Sequence, residues 1–273
     1  MSIGHLCRHV GMSRQNFYKA RQVRRRKKVD EQLVKRLVEA ERAMQPRLGG
    51  LKLHSMLREE LEAEDVSLGR DRFFEVLRNQ ALLLEPLPKA PRTTNSSHSL
   101  PVFTNLVKDL DVSGPNQVWV SDITYIRTRE DFGYLSLITD KYSKKVVGYH
   151  LGQTLSATDT LKALHMALEA LPEGARPIHH SDRGCQYCCH EYVKTLKDRG
   201  LGISMTEEDH CAENAMAERM NGILKQEYFL NYEFRTVAQA RRAVDEAVHL
   251  YNTRRPHRSL RLRTPEQVHR KAA

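Results

Sequence analysis

A proline-rich polar segment at residues 85–101 divides this sequence into two parts with different periodicities. The segment holds four prolines and has almost no apolar periodicity, which is the composition of a linker. Before it, apolar residues recur at helical spacing, whereas after it strand-like runs alternate with helical stretches. The two parts are therefore expected to form separate cores, and 273 residues suffice for one small and one larger domain.

Residues 1–84 are predicted to form an all-helical domain. Residues 3–10, a turn at Gly11 and a helix opened by Ser13 as N-cap have the pattern of a helix-turn-helix. Further helical spacing follows, and Ser67 is expected to cap the last helix of the domain. Basic side chains on these helices are candidate DNA contacts, although a solvated basic face explains any single one more simply: Arg24, Arg25, Arg26, Arg70 and Arg72.

Residues 102–253 have the element order of a mixed sheet covered by helices. Three strand-like runs indicate an antiparallel meander, and they lie at residues 117–128, 134–141 and 145–152. The pattern then predicts helices at 157–171 and 190–199, strands at 177–181 and 202–205, and two final helices at about 212–228 and 236–251. This order predicts an α/β fold class for the second domain.

The charge distribution favours a polyanionic partner. Lys and Arg number 44 against 34 Asp and Glu, a net charge of +10, and residues 1–100 alone carry 20 basic and 12 acidic side chains. Residues 254–273 are predicted to be a basic tail, in which Arg254, Arg255 and Arg258 contact DNA phosphates; a solvated terminus is the alternative. No apolar run has the length of a membrane span or a secretory signal, so we expect a cytoplasmic protein.

Five cysteines, an odd number, are most simply reduced thiols in a protein of this size. Cys185 and Cys188 form a C-x-x-C pair with histidines nearby, which makes a zinc site conceivable. The second ligand pair at regular spacing is missing, so buried thiols are the simpler interpretation.

Three carboxylates stand at positions where catalytic groups are found. Asp122 interrupts the apolar first strand of the second domain, where an unpaired carboxylate costs several kcal/mol unless a partner such as a metal ion neutralises it. Asp182 follows the fourth strand, at the end where α/β sheets collect functional groups, although a turn-forming role is nearly as good an explanation. Glu218 lies in the helix after the fifth strand.

Such a set suits phosphodiester chemistry. Two Mg²⁺ ions roughly 3.5 to 4 Å apart can activate a hydroxyl and stabilise the leaving oxygen, and they prefer oxygen ligands. The face of the helix that carries Glu218 also presents Asn214, Asn221 and Lys225. An ammonium at Lys225 is suited to gripping a phosphate.

Four segments carry a resemblance to a known family: WVSDITYI, HHSDRGCQY, ENAMAERMNGILKQEY and YNTRRPHRSLRLRTPEQ. They resemble the OrfB-type transposases of bacterial insertion sequences, which belong to the retroviral-integrase superfamily and have an RNase H-like core. The resemblance runs from about residue 109 to residue 267. Such transposases place 35 residues between the second Asp and the Glu, and the same number separates Asp182 from Glu218. Residues 48–84 resemble the helical DNA-binding region that precedes this core.

The resemblance implies a DNA transposase with an RNase H-like core that cleaves and joins DNA at insertion-sequence ends. Asp122, Asp182 and Glu218 would be the catalytic residues and the ligands of two Mg²⁺ ions, for which Mn²⁺ can substitute, and Lys225 and Asn221 would contact DNA. The partners implied are double-stranded DNA, further copies of the chain assembled on it, and an upstream OrfA-type DNA-binding protein. The location implied is the bacterial nucleoid.

Several alternatives stay open at this point. Glu213, where the family often has Asp, is a rival ligand with a spacing of 30 residues instead of 35. Asp140 is expected to be a turn residue, Trp119 and Tyr125 to pack in the core, and Gln186 either to position DNA or to pack locally. A nuclease of the same fold would cut without joining, and an inactive repressor would only bind the ends.

Overall fold

The computed structural model describes residues 2–85, 100–129, 131–207 and 214–271, without the side chains of residues 26–29 and 271. The chain divides into two compact units, Met1–Met44 with Leu48–Glu85 and Gln45–Arg47 with Pro86–Ala273. Most of the predicted linker, residues 86–99, lies outside the described residues, as do Glu208, Asp209, Cys211 and the rival ligand Glu213. The proposed domain limits therefore stay a prediction.

The first unit is helical. Its helices are α1 (Ile3–His9), α2 (Arg14–Met44), α3 (Gly50–Met56), α4 (Arg58–Ala63) and α5 (Arg70–Asn79). Val38, Leu53 and Phe73 are among the side chains that fill its core. Ser13 accepts a hydrogen bond from the amide of Asn16 at 3.1 Å, as expected of an N-cap.

Two details of this unit differ from the prediction. The helix opened by Ser13 does not end after the basic run but continues without interruption through the later helical stretch to Met44, over 31 residues. The N-cap of α5 is Gly69 and not Ser67, so that expected cap is wrong. Both differences concern boundaries, which periodicity defines only loosely.

The second unit is built on a five-stranded sheet. Its strands are β1 (Val118–Arg127), β2 (Phe132–Asp140), β3 (Val146–Gly152), β4 (Ile178–Ser181) and β5 (Gly202–Met205). The strand order is β3-β2-β1-β4-β5, in which β1, β2 and β3 pair antiparallel while β4 pairs parallel with both β1 and β5. The predicted mixed, RNase H-like sheet is confirmed.

Helices cover both faces of this sheet. They are α6 (Ala157–Glu169), α7 (Cys185–Cys188), α8 (His190–Asp198), α9 (Ala215–Glu227), α10 (Val237–Thr253) and α11 (Pro265–Lys271). Because successive strand residues face opposite sides, Trp119 packs with α6 and α8 whereas Ile126 packs with α9 and α10. Trp119 is 1% exposed, which confirms its predicted core position.

The C-terminal residues fold onto the second unit instead of forming a tail. Arg258–Leu260 form a 3-10 turn and α11 follows it. Lys145 pairs with Glu266 at 2.8 Å, and the Ser143 hydroxyl lies 2.9 Å from His269 Nδ1. In the described ranges, no helix combines the length and the hydropathy that a bilayer span requires.

Candidate active site

Asp122 lies on β1, and Asp182 directly follows the last residue of the neighbouring parallel strand β4. The register pairs Val120 of β1 with His180 of β4, so Asp122 and Asp182 each lie two residues beyond this pair. Adjacent strands run roughly 4.8 Å apart, and paired residues of parallel strands face the same side. The sheet itself therefore brings together two carboxylates that are far apart in the sequence.

The charges of the other two predicted carboxylates act on Asp122. Its pKa is raised to about 7, first by burial, then by Asp182, and to a smaller extent by Glu218. Hydrogen bonds from the Ile123 amide at 2.9 Å and from Asn221 at 2.7 Å oppose this shift. A cation placed here would stabilise the ionised form of Asp122.

Glu218 stands in the first turn of α9, on the side of the helix that faces solvent. Ala217, Met220 and Leu224 bury the opposite side of α9 against the sheet. In the part of the chain that the structure describes, no three His, Cys, Asp or Glu side chains are already close enough to hold one metal ion. Asp182 and Glu218 are coupled electrostatically to Asp122, and Glu218 is the exposed one of the three.

Asn214, the N-cap of α9, and Asn221 within α9 lie next to the Asp122 region, and each has a side-chain oxygen without a hydrogen bond in the described part of the chain. Asn221 donates from Nδ2 to Asp122 Oδ2, and Asn214 donates from Nδ2 to the Ser121 carbonyl at 3.1 Å. Their Oδ1 atoms are buried and accept no hydrogen bond from the described residues. Divalent cations such as Mg²⁺ prefer oxygen ligands. Buried amide oxygens next to carboxylates supply such ligands, so these residues fit a hydrated divalent cation.

A buried hydrogen-bond network supports the strand that carries Asp122. The Ser121 hydroxyl lies 2.7 Å from His179 Nε2, and the Tyr192 hydroxyl lies 2.9 Å from the same nitrogen. Burial lowers the pKa of His179 to about 3, so the ring is neutral. The network joins β1, β4 and α8, and sequence reasoning missed it because its members are far apart in the chain.

Lys225 reaches the same region from α9. Its ammonium lies 5.4 Å from the centroid of the Tyr125 ring. Burial lowers the pKa of Lys225, while the charge of Asp122 raises it. Tyr125 is 39% exposed, so the prediction that it packs in the core is wrong. β4 pairs only with the start of β1, so Tyr125 lies on the part of β1 that extends past β4.

The remaining polar candidates near the site have structural roles. Gln186 is buried and donates from Nε2 to the Leu155 carbonyl at 3.1 Å, which is the local packing named as the alternative to DNA positioning. Asp140 is fully buried and accepts hydrogen bonds from the amides of Asn116 and Ser143, both at 2.7 Å, which confirms its turn role. Each satisfies backbone groups, and neither faces a substrate.

The C-x-x-C pair forms the single turn α7. Cys185 is exposed, while Cys188 is buried with its Sγ 3.7 Å from the sulfur of Met205. Burial raises the pKa of Cys188 to about 11, which disfavours the thiolate that zinc requires. Cys188 is therefore part of the core, and within the described ranges no group of three His, Cys, Asp or Glu completes a metal site with the motif.

The predicted basic contacts of the first unit differ in their surroundings. Arg24 and Arg25 are exposed on α2, and the side chain of Arg26 lies outside the described part of the chain. Arg70 pairs with its neighbour Asp71 at 2.8 Å, and Arg72 pairs with Glu31 and Glu75. Arg24 and Arg25 are the better candidates for contact with a phosphate.

Arg255 is a correction to the predicted set of DNA contacts. It is 3% exposed, and its guanidinium donates to both carboxylate oxygens of Glu227, at 2.8 and 2.7 Å. It also lies 2.7 Å from His257 Nε2. Arg255 therefore anchors the C-terminal segment to α9, while its neighbours Arg254 and Arg258 are exposed.

A basic groove lies at the other end of β1. It has a volume of about 670 Å³, and its charged lining residues are Asp111, Lys141, Lys144, Arg261 and Arg263. Among the described residues, none of the four cations pairs with a carboxylate. The Lys141 amide donates to the Val118 carbonyl at 2.8 Å, so the groove begins roughly 13 Å along the strand from Asp122.

Sequence families and solved structures similar to this chain share an integrase core. Two sequence families, both described as integrase core domain, match residues 112–211 and 199–265. The HTLV-2 integrase catalytic core domain in complex with magnesium is a similar solved structure, with a TM-score of 0.46 and 20% identity, covering 57% of this chain and 97% of that one.

Two curated relatives come from insertion elements. An uncharacterized 31 kDa protein of insertion element IS600 from Shigella sonnei is 34% identical over 98% of this chain and 100% of its own length. Transposase InsF for insertion sequence IS3A from Escherichia coli strain K12 is 36% identical over 63% of this chain, and the alignment spans 60% of InsF.

Proposed function

We propose that this chain, which belongs to the insertion-sequence transposases with an integrase core domain, cleaves and joins DNA through Asp122, Asp182 and Glu218. The observation that carries the assignment is the position of Asp122 beside the end of β4, which Asp182 follows, with Asn221 of α9 donating to Asp122 at 2.7 Å. The raised pKa of Asp122, to which both other carboxylates contribute, agrees with it, and carboxylates perturbed in this way are typical of functional sites. The substrate class that follows is a DNA phosphodiester.

The reaction proposed has two steps. Water attacks a phosphodiester at the element end, and the P–O bond to the 3′ oxygen breaks, which releases a 3′-OH and leaves a 5′-phosphate. That 3′-OH then attacks a phosphodiester of a second strand, where a new P–O bond forms and the 3′ oxygen of that strand leaves. Asp122 and Asp182 would share two Mg²⁺ ions and Glu218 would complete their coordination; Mn²⁺ can take their place. When bound, such ions activate the attacking hydroxyl and stabilise the leaving oxygen.

Other residues of the chain position the reactants. Asn221 and the Ile123 amide each donate to one oxygen of Asp122, which fixes the orientation of the carboxylate. Lys225 supplies a positive charge beside Asp122, where it would hold the phosphate that the carboxylates repel. Glu218, exposed on α9, would move inward when DNA and the ions bind.

The DNA path would extend from these residues over the basic surfaces. In the second unit it would include the basic groove and the exposed Arg254 and Arg258. In the first unit it would include Arg24, Arg25 and Arg70, on helices suited to a DNA groove. Two element ends must be held together for joining, so we infer that several copies assemble on DNA, with an OrfA-type protein as a further partner.

Cleavage and joining by the full chain test this function. Duplexes carrying an element end are incubated with Mg²⁺, Mn²⁺ or EDTA, and a pre-nicked end reports joining separately. We expect Asp122→Asn, Asp182→Asn and Glu218→Gln each to lose at least about 10³-fold of both activities, on the scale of a removed catalytic group. Glu246→Gln, an exposed glutamate on α10, is the matched control.

The possible results separate the alternatives. Cleavage of the nicked substrate without joined product identifies a nuclease. Protection of the element ends with no metal-dependent product from the native chain identifies a repressor. Full activity of Glu218→Gln would remove that residue from the site.

A further inference from the structure

Three aromatic side chains form a surface cluster on the hairpin of β1 and β2. Tyr125 and Phe132 are 39% and 44% exposed, and Tyr134 is partly buried. The Tyr125 ring lies edge to face with Phe132 and Tyr134, at centroid distances of 6.1 and 6.3 Å. Tyr125 and Tyr134 are also register partners across the two strands. We refer to these three residues as the aromatic cluster.

Lys225 links the aromatic cluster to the proposed catalytic carboxylates. Tyr125 follows Asp122 by three residues on β1, a separation of roughly 10 Å along the strand, and the alternation of strand residues places the two side chains on opposite faces of the sheet. Lys225 connects the two features, since its ammonium lies 5.4 Å from the Tyr125 centroid while its charge interacts with Asp122. The separation corresponds to about three nucleotide steps of a DNA strand.

The sheet leaves this position open. β4 pairs with Val118–Val120 and ends at Ser181, so within the described sheet no strand lies beside β1 from Asp122 onwards on that side. Aromatic rings normally bury most of their surface, and a contiguous exposed group of them marks a contact surface. A cation held above one of the rings makes the surface both apolar and positive.

We propose that the aromatic cluster stacks an unpaired base of the DNA end, close to the phosphodiester that reacts. The proposal rests on the proposed function and adds a binding site for a nucleobase to it. Stacking on aromatic rings together with a nearby cation is how proteins hold single-stranded DNA without reading its sequence. Lys225 would hold the phosphate of the stacked nucleotide.

A nucleobase suits this surface better than a second protein chain. Lys225 lies between the aromatic cluster and Asp122, where it can hold a charged DNA backbone, and an apolar protein surface would have to bury its ammonium. Opening of the terminal base pair also gives the strand end freedom to reach Asp122, and stacking compensates for the lost base pairing. A contact with a second copy of the chain is the alternative outcome of the test.

The test uses the full chain and a duplex in which 2-aminopurine replaces bases near the element end. The background protein is Asp122→Asn, so that binding is measured without turnover. Stacking on Tyr125 should quench the fluorescence of one such base. In this background Tyr125→Phe should keep the quenching, whereas Tyr125→Ala and Tyr125→Leu should lose it, because leucine retains the apolar surface without a π face.

Joining kinetics of the same Tyr125 substitutions in the otherwise native chain give a second readout. We expect Tyr125→Leu to raise the KM for duplex ends about tenfold, in line with the loss of one stacked base. For a substrate whose terminal bases are already unpaired, the same substitution should raise the KM less. Tyr232→Ala, which removes a 60% exposed ring stacked on Phe229 elsewhere in this unit, is the control.

The outcomes are distinguishable. Quenching that survives Tyr125→Leu, or a KM that does not change, overturns the stacking site while leaving metal-dependent cleavage intact. A chain without metal-dependent cleavage contradicts the proposed function, whatever the fluorescence shows. Self-association of the native chain that Tyr125→Leu abolishes, with no effect on quenching, assigns the cluster to contact between copies.

Discussion

Asp122 is a carboxylate in surroundings that disfavour its negative charge. It lies in a strand with apolar neighbours, close to two other carboxylates, and its pKa rises to about 7. The folded chain therefore holds an ionised carboxylate at an energetic cost near neutral pH. Such a cost is commonly retained where function requires it.

Substitution of Asp122 by asparagine should stabilise the chain. Without divalent cations at pH 8, Asp122→Asn should unfold with a free energy higher by about 1 kcal/mol or more, because it removes a charge that folding disfavours. The gain should fade below pH about 4, where the carboxyl is protonated in both states. Urea unfolding at both pH values measures it. A variant less stable than the native chain at pH 8 would contradict the electrostatic account.

His179 predicts the opposite pH dependence. Its folded pKa of about 3 lies below the ordinary 6.5, so the unfolded state takes up a proton first as pH falls, and stability is lost from pH about 6.5 downwards. Between pH 6.5 and 5 this amounts to about 2 kcal/mol. In urea unfolding, the free energy of unfolding of His179→Gln should fall less steeply with decreasing pH than that of the native chain. His249→Gln, at an exposed position on α10, should show the same pH dependence as the native chain.

At the scale of the elements, α9 carries a proposed catalytic residue and also holds the C-terminal segment in place. One side carries Glu218, while Asn221 points to Asp122 and Glu227 binds Arg255 near the end of the helix. A helix places residues three and four apart on the same side, so one rigid element fixes several groups relative to the sheet.

Removal of the Asn221 amide should reduce turnover more than DNA binding. Asn221→Ala frees Asp122 Oδ2 from its hydrogen bond, and loss of such an orienting partner typically costs about 10- to 100-fold in activity. We expect the loss in kcat at saturating DNA, with Gln226→Ala, exposed on the same helix, unaffected. A change confined to DNA affinity would show that Asn221 contacts DNA instead.

Two neighbouring arginines should respond differently to the same substitution. Arg255→Ala leaves the partly buried Glu227 without its ion pair and should lower the free energy of unfolding by about 3 to 5 kcal/mol. Arg258→Ala, at an exposed position, should leave stability within about 0.5 kcal/mol and weaken DNA binding instead. Thermal unfolding and DNA titration of both variants decide the assignment.

At the scale of the whole molecule, the basic groove gives the second unit a positively charged surface away from the carboxylates. Four cations against one carboxylate give this surface a net positive charge. Since the catalytic residues themselves are negative, DNA must be held by surfaces that lie beyond them. The groove at the opposite end of β1 is such a surface.

The salt dependence of DNA binding tests that role. Lys144→Ala, Arg261→Ala and Arg263→Ala together should reduce the slope of log K against log salt by roughly 0.9 for each DNA phosphate that the variant no longer neutralises. Lys194→Ala, Lys197→Ala and Arg199→Ala, a triple on and just after α8, form the matched control. An unchanged slope for the groove triple would exclude the groove from the DNA path.

The sequence by itself determined the order of the strands and helices in the second unit and the identity of the three carboxylates. Strand and helix periodicities are local, so β1 to β5 were predicted within a few residues. The spacing of Asp182 and Glu218 is likewise a property of the sequence alone. The roles of these carboxylates stay a prediction until the variants are measured.

Only the tertiary structure decided which side chains are buried and which are exposed. Tyr125 was predicted to be a core residue, yet it is 39% exposed. Arg255 reads as one of a run of basic residues, yet Glu227, 28 residues earlier, buries it. Burial depends on partners that folding brings from distant parts of the chain, and local periodicity contains no information about them.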